Sequence, residues 1–170
     1  MLLAAIRDPD PVLFLEPTRL YRLFKEEVTD NGVAMALDQC VTLRTGTDVT
    51  LVSWGAMVYE TLAAADALAA EDIAADVIDV ATLKPLDMDT ILASVARTGR
   101  CIIVAEAART AGFAAEIAAN LADDGLLTLR APVQRVSGYD TVVPLARLEN
   151  HYLPSTARII GAVNKVLAFS

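Results

Sequence analysis

Short apolar runs alternate along this chain with longer stretches whose apolar residues recur at helical spacing. Asp48–Ser53, Asp76–Val80 and Cys101–Val104 are the compact runs, and their β-branched content predicts strands. Cys101-Ile-Ile-Val104 is apolar throughout, as a central strand covered on both faces should be. Between these runs, Val58, Leu62, Ala65 and Leu68 fall on one face of a predicted helix over 57–70. Asp87 is placed to cap a second helix, Ile91, Leu92 and Val95 give its stripe, and Gly99 stops it. A third helix is expected over Thr110–Ala122. The last opens at Ser155, with Ile159, Val163 and Leu167 aligned.

Less regular segments complete the reading. Val12–Leu15, bracketed by Pro11 and Pro17, predicts a brief strand with abrupt ends. Leu126–Leu129 and Val133–Val136 predict two more. Lys25-Glu-Glu27 and the cluster Thr29-Asp-Asn-Gly32 have no core-forming period, so residues 23–42 read as a linker or excursion. Gly138–Pro154, which contains Pro144, reads as a long loop of functional length. Alternating βαβα units with buried strands imply an α/β fold: a three-layer sandwich with a mainly parallel sheet. A lone strand in the first 24 residues needs a sheet to join, either the main one or that of a domain lying before it.

Composition narrows the function classes. The 170 residues carry 14 Lys+Arg against 22 Asp+Glu, a net charge of −8, which argues against a nucleic-acid binder. With 55% hydrophobic and 21% charged residues, disorder is excluded. No apolar run approaches the roughly 20 residues of a bilayer span, and Met1–Ile6 is too short for a signal peptide. Cys40 and Cys101 have no partner pattern and are expected to be reduced thiols of a cytoplasmic protein.

The residues offer little chemistry. Glycines are scattered singly, with neither G-x-G-x-x-G nor a P-loop, and no G-x-S-x-G elbow occurs. His151 is the sole histidine, too little for a metal site or a two-histidine relay, and reads as a surface or interface residue. Two carboxylates stand out. Glu106 follows the apolar strand at its carboxyl end, where open α/β sheets bind ligands. It is either a crevice carboxylate or, more simply, a brace for the loop Arg109–Gly112. Asp140 in Ser137-Gly-Tyr-Asp-Thr141 is placed to brace a turn. No complete active site is visible.

Five stretches nonetheless form an ordered set. They are Pro11-Val-Leu-Phe-Leu-Glu-Pro17 with Leu20-Tyr-Arg22; Asp48-Val-Thr-Leu-Val-Ser-Trp-Gly55; and Val77-Ile-Asp-Val-Ala-Thr-Leu-Lys-Pro-Leu-Asp87. Ala105-Glu-Ala107 with Thr110-Ala-Gly-Phe-Ala-Ala-Glu-Ile117 follows, then Ala131-Pro-Val-Gln-Arg-Val-Ser-Gly-Tyr-Asp-Thr141 with Tyr152-Leu-Pro154. Together they resemble the C-terminal half of the β subunit of thiamine-diphosphate-dependent 2-oxo acid dehydrogenases, nearly end to end.

The resemblance implies a remnant of the pyrimidine-binding domain at 1–24, a linker at 25–42 and a transketolase-type C-terminal domain at 43–170. It implies no catalytic, cofactor-binding or metal-binding residue here. Thiamine diphosphate and magnesium would belong to the intact enzyme, held by the α subunit and by the absent N-terminal half. Implied partners are the α subunit, a second β subunit in a heterotetramer, and a lipoyl acyltransferase core. Docking of that core would fall on Arg130–His151 and Phe169-Ser170, with Arg130, Glu149, Tyr152 and Phe169 as contact residues; alternatively Tyr152 and Phe169 simply pack the last helix. The wording at Gly138–Thr141 and Tyr152–Pro154 leans to branched-chain 2-oxo acids over pyruvate, and a purely non-catalytic assembly module is the remaining alternative.

Three departures from the pattern stand out. Ala105 replaces a common histidine, and Arg130 stands where some relatives have an acid. Ala111 replaces a common glycine, which requires φ below zero there or some strain.

Overall fold

The computed structural model describes residues 1–23, 25, 27 and 31–169. Residues 24, 26, 28–30 and 170 lie outside the description, including Thr29, Asp30 and Ser170 and part of the expected linker.

Five strands form one sheet: β1 (Val41–Arg44), β2 (Val49–Ser53), β3 (Ala75–Asp79), β4 (Cys101–Ala108) and β5 (Gln134–Gly138), in the order β1-β3-β2-β4-β5. All neighbours are parallel except β1, which runs antiparallel to β3 at the edge. Helices α2 (Met57–Ala69), α3 (Met88–Thr98), α4 (Ala114–Asp124) and α6 (Thr156–Leu167) cover its faces, with short helices α1 (Leu2–Arg7) and α5 (Ala146–Tyr152).

The three layers follow from the two-residue period of a strand. Val49, Leu51, Val77, Ile102 and Val104 pack against Ala64, Ala65 and Leu68 of α2 and Ile159, Val163 and Val166 of α6. The alternate residues Val52, Ile78, Cys101 and Ile103 meet Ile91 and Val95 of α3 and Ile117 and Leu121 of α4. Every residue of β2 is buried, as a strand covered on both sides must be. Capping also matches the sequence signals. Asp87 Oδ1 accepts the Thr90 N–H at 3.1 Å, and Gly99 closes α3 at φ 73°. Ser155 Oγ accepts the Arg158 N–H at 3.3 Å to open α6.

Four expectations need correction. Val12–Leu15 forms no strand and pairs with none among the described residues, and Leu13 is 85% exposed; an apolar run forms a strand only where a ladder partner exists. Leu126–Thr128 is a 3-10 turn and Leu127 is 99% exposed, because the slot beside β4 is filled by β5. Residues 41–44, read as linker and domain start, form the edge strand β1. The loop Gly138–Pro154 contains α5, whose seven residues are too few to show a helical period.

Candidate functional site

In a sheet of this order the connections leave β2 in opposite directions, and the crevice between the carboxyl ends of β2 and β4 is where such folds place ligands. Here that end is built from Ser53-Trp54-Gly55, the end of β4, the turn Arg109–Phe113 and the segment after β5.

β4 and β5 lose register between Ala105 and Ala108, so Glu106 and Ala107 form a bulge. Glu106 is exposed and its carboxylate makes no hydrogen bond among the described residues. The bracing expected of it belongs to Asp140. Its Oδ1 accepts the Thr110 N–H at 2.8 Å and its Oδ2 accepts the Thr110 hydroxyl at 2.7 Å. The Thr110 backbone N–H, then its hydroxyl, and further Arg109, hold the Asp140 carboxyl below its ordinary range, because hydrogen bonds to the charged form favour it. Arg109 and Arg135 add a reciprocal tie, each guanidinium donating to the other's backbone carbonyl at 3.1 Å.

This clasp delivers the chain into a tight turn. Ala111 sits at φ 57°, the left-handed region, so the strained branch of the expectation for this position is the one adopted. A β-carbon on Gly112 would stand 2.4 Å from the Ala108 carbonyl oxygen, so only glycine fits. Phe113 then packs edge-on against Trp54, with ring centroids 5.8 Å apart. Beside the turn, an open groove of about 800 Å³ runs between Leu83–Leu86 and the start of α4, with Lys84 and Glu116 among its lining.

Beyond β5, Arg158 organises the remaining loop. Its Nη2 donates to the Ser137 carbonyl at 2.6 Å and its Nη1 to the Leu153 carbonyl at 3.3 Å. Its guanidinium lies 4.8 Å from the centre of the Tyr139 ring, a cation–π contact. Tyr152 is only 4% exposed and lies in the core, so it packs the end of α5 and presents no surface anchor.

The expected contact residues do not form one patch. Glu149, in α5, lies with the segment after β5 at the carboxyl end of the sheet. Arg130 lies at the opposite end, where its N–H donates to the Gly99 carbonyl at 2.7 Å just before β4. Phe169, 52% exposed, follows α6 at that same end, where Arg100 Nε donates to the Val166 carbonyl at 3.1 Å. His151 is exposed in the last turn of α5.

Among the other titratable groups, Cys40, Asp79 and Asp87 also lie at the carboxyl end of the sheet, whereas Cys101 opens β4 at the opposite end. Burial pushes both thiols up to about 12; for Cys40 the Asp87 and Asp79 carboxylates add to it. Burial raises Asp79, against one hydrogen bond from the Ala81 N–H. For Asp87, burial works upward but the hydrogen bonds from Thr90 and from the Cys40 N–H outweigh it, and the net shift is downward. Sequence reading missed Asp76. It is 1% exposed and accepts from the Gly46 N–H, the Ser94 hydroxyl and Arg97, tying α3 to the β1–β2 turn. An acid opening a strand resembles a turn residue until Arg97, 21 positions on, is seen beside it.

The family described as the transketolase C-terminal domain matches residues 38–159. The chain belongs to it. This transketolase-type domain is 46% identical, over 169 residues, to the pyruvate dehydrogenase E1 component subunit beta of Bacillus subtilis (strain 168), covering 99% of this chain and 52% of that protein. It is 41% identical over the same length, with the same coverage, to the corresponding subunit of Staphylococcus epidermidis (strain RP62A). The chain spans about half the length of the curated relatives it matches. Among solved structures, a split-gene transketolase in an inactive β4 tetramer aligns with TM-score 0.71 and 30% identity, over 85% of this chain and 46% of that one. A 2-oxoglutarate:ferredoxin oxidoreductase from Magnetococcus marinus aligns with TM-score 0.51 and 13% identity, over 76% of this chain and 19% of that one, a likeness of fold alone.

The thiamine-type site can be tested against the donors present. Among the described residues no three His, Cys, Asp or Glu converge as metal ligands. The crevice end carries the Trp54–Phe113 pair, the Asp140 carboxylate already committed to Thr110, and the exposed Glu106 with no second acid or base converging on it among the described residues. These side chains do not fit a magnesium-bound diphosphate, and no chemical step is derived through one.

Proposed function

We propose that this chain is the C-terminal portion of the β subunit of a thiamine-diphosphate-dependent 2-oxo acid dehydrogenase acting on pyruvate. The identity of 46% with a pyruvate dehydrogenase β subunit across 99% of the chain carries the reading. The motif wording alone leans to branched-chain 2-oxo acids; the two relatives described above are both pyruvate enzymes, which reverses that preference. In this reading residues 1–24 are the tail of a pyrimidine-binding domain. The exposed apolar run Leu13–Leu15 supports it, since such a run needs a sheet or partner to cover it.

The domain's own task is then assembly. It pairs with a second β subunit, supports the α subunit that would hold diphosphate and magnesium, and presents a surface to the lipoyl acyltransferase core in the cytoplasm. A solved relative is an inactive β4 tetramer, which supports self-association without turnover. With no helix among the described residues long and apolar enough to cross a membrane, association through subunit contacts suits the chain better than through lipid.

The test is reconstitution. The chain joined to the N-terminal half of a homologous β subunit and mixed with α subunit should decarboxylate pyruvate faster than branched-chain 2-oxo acids when thiamine diphosphate and magnesium are supplied. The chain alone should not turn over. Activity of the isolated chain, or a preference for branched-chain substrates, would overturn the proposal.

A further inference from the structure

Residues 31 and 32 belong to the turn cluster in the joint between the N-terminal arm and β1. Asn31 is exposed. It is followed by Gly32 at φ 67°, with no atom within 4 Å of where a β-carbon would stand. Asn31 Oδ1 accepts the Val33 N–H at 3.0 Å, which folds the side-chain amide back over the Gly32 peptide unit. Arg7 Nη1 donates to the Gly32 carbonyl at 2.9 Å and ties the turn to α1.

We infer that Asn31–Gly32 is a site of spontaneous covalent modification, in which the Gly32 backbone nitrogen displaces the Asn31 side-chain amide. A base removes the Gly32 N–H proton and the nitrogen attacks Asn31 Cγ. The new C–N bond closes a five-membered succinimide, and the Cγ–Nδ2 bond breaks with ammonia as leaving group. Water then opens the ring at either carbonyl and leaves aspartate or isoaspartate at position 31. The balance is amide plus water to carboxylate plus ammonium, with no oxidant or reductant.

Local structure decides which asparagine reacts. The other three, Asn120, Asn150 and Asn164, lie in α4, α5 and α6 and precede Leu121, His151 and Lys165. Helical geometry points each following N–H along the helix axis, away from the side chain, and the next residue's β-carbon crowds the approach. Asn120 is further held by its amide donating to the Glu116 carbonyl at 2.8 Å. Gly32 presents neither obstacle.

The product alters the joint. Net charge moves from −8 to −9 as one carboxylate appears (−8 − 1), next to the carbonyl that Arg7 holds. Isoaspartate also inserts a methylene into the main chain and shifts Gly32 out of register with Arg7.

The full chain incubated in heavy-oxygen water at mildly alkaline pH, then digested and mapped by mass spectrometry, gives the readout. Label should concentrate at residue 31, and isoaspartyl methyltransferase should methylate the same peptide. Asn31→Gln should lose the label, and Gly32→Ala should lower it several-fold. Both substitutions lie in an exposed turn, and circular dichroism checks that the fold is kept. Equal labelling of all four asparagines, or an unlabelled residue 31 after the excised peptide has converted under the same conditions, would overturn the inference.

Discussion

Asp140 and Thr110, thirty positions apart in sequence, are joined by two hydrogen bonds of 2.8 and 2.7 Å, one to the backbone and one to the hydroxyl of Thr110. This pair fixes the entry to α4 at the carboxyl end of the sheet. Because its carboxyl is held below the ordinary range, Asp140 contributes stability above its unfolded pKa of about 3.9, and that contribution is lost as pH falls through the lower folded value. Asp140→Asn should therefore melt at a lower temperature than the parent at neutral pH, and the difference should shrink in strong acid. A gap in melting temperature constant from neutral pH to strong acid would contradict this.

Ala111 holds a left-handed backbone at φ 57°. Ala111→Gly removes the clash of its β-carbon and should raise stability by about 1 kcal/mol, read as a higher denaturation midpoint with unchanged slope. A lower midpoint would mean that the methyl group makes contacts worth more than the strain.

Asp76 is the buried partner of a half-exposed Arg97. Asp76→Ala strands the Gly46 N–H and the Ser94 hydroxyl together, and should cost about 3 kcal/mol in chemical denaturation. Arg97→Met should cost less, because Gly46 and Ser94 still serve the carboxylate. Equal losses would show that the ion pair, rather than the hydrogen-bond network, governs this corner.

Tyr152 and Phe169 can be separated by one measurement. Tyr152→Ala empties a core site and should destabilise the fold by about 3 kcal/mol. Phe169→Ala should leave the melting temperature within a degree or two, on the order of a surface substitution. Any effect of Phe169→Ala on binding of the proposed lipoyl acyltransferase core is then a contact effect, whereas the same effect from Tyr152→Ala is not interpretable as one.

Alkaline pH provides a further check. Both thiols are pushed up to about 12, so their contribution is whole below the unfolded value of about 8.5 and is lost as pH rises beyond it. Iodoacetamide should modify Cys101 only when the chain unfolds. Rapid alkylation of Cys101 in the native chain at neutral pH would contradict its burial.

The α/β class, the parallel strands β2, β3 and β4, the four covering helices and the caps Asp87, Gly99 and Ser155 were all legible in the sequence. Their causes are local: a two- or 3.6-residue period and a capping side chain within three positions of the backbone it serves. The family was legible for a related reason, since its five motifs are contiguous stretches. Tertiary structure decided the rest, because each remaining question turns on which distant residue arrives beside another. Val12–Leu15 has a strand's composition but no ladder partner among the described residues, whereas Val41–Arg44, lacking any strong pattern, becomes a strand because the edge of β3 is open to it. Glu106 and Asp140 are equally plausible braces by composition. A bulge turns Glu106 outward, while the end of β5 carries Asp140 to Thr110. Arg130 and Glu149 are close in sequence yet lie at opposite ends of the sheet, because a parallel strand carries the chain from one end to the other between them.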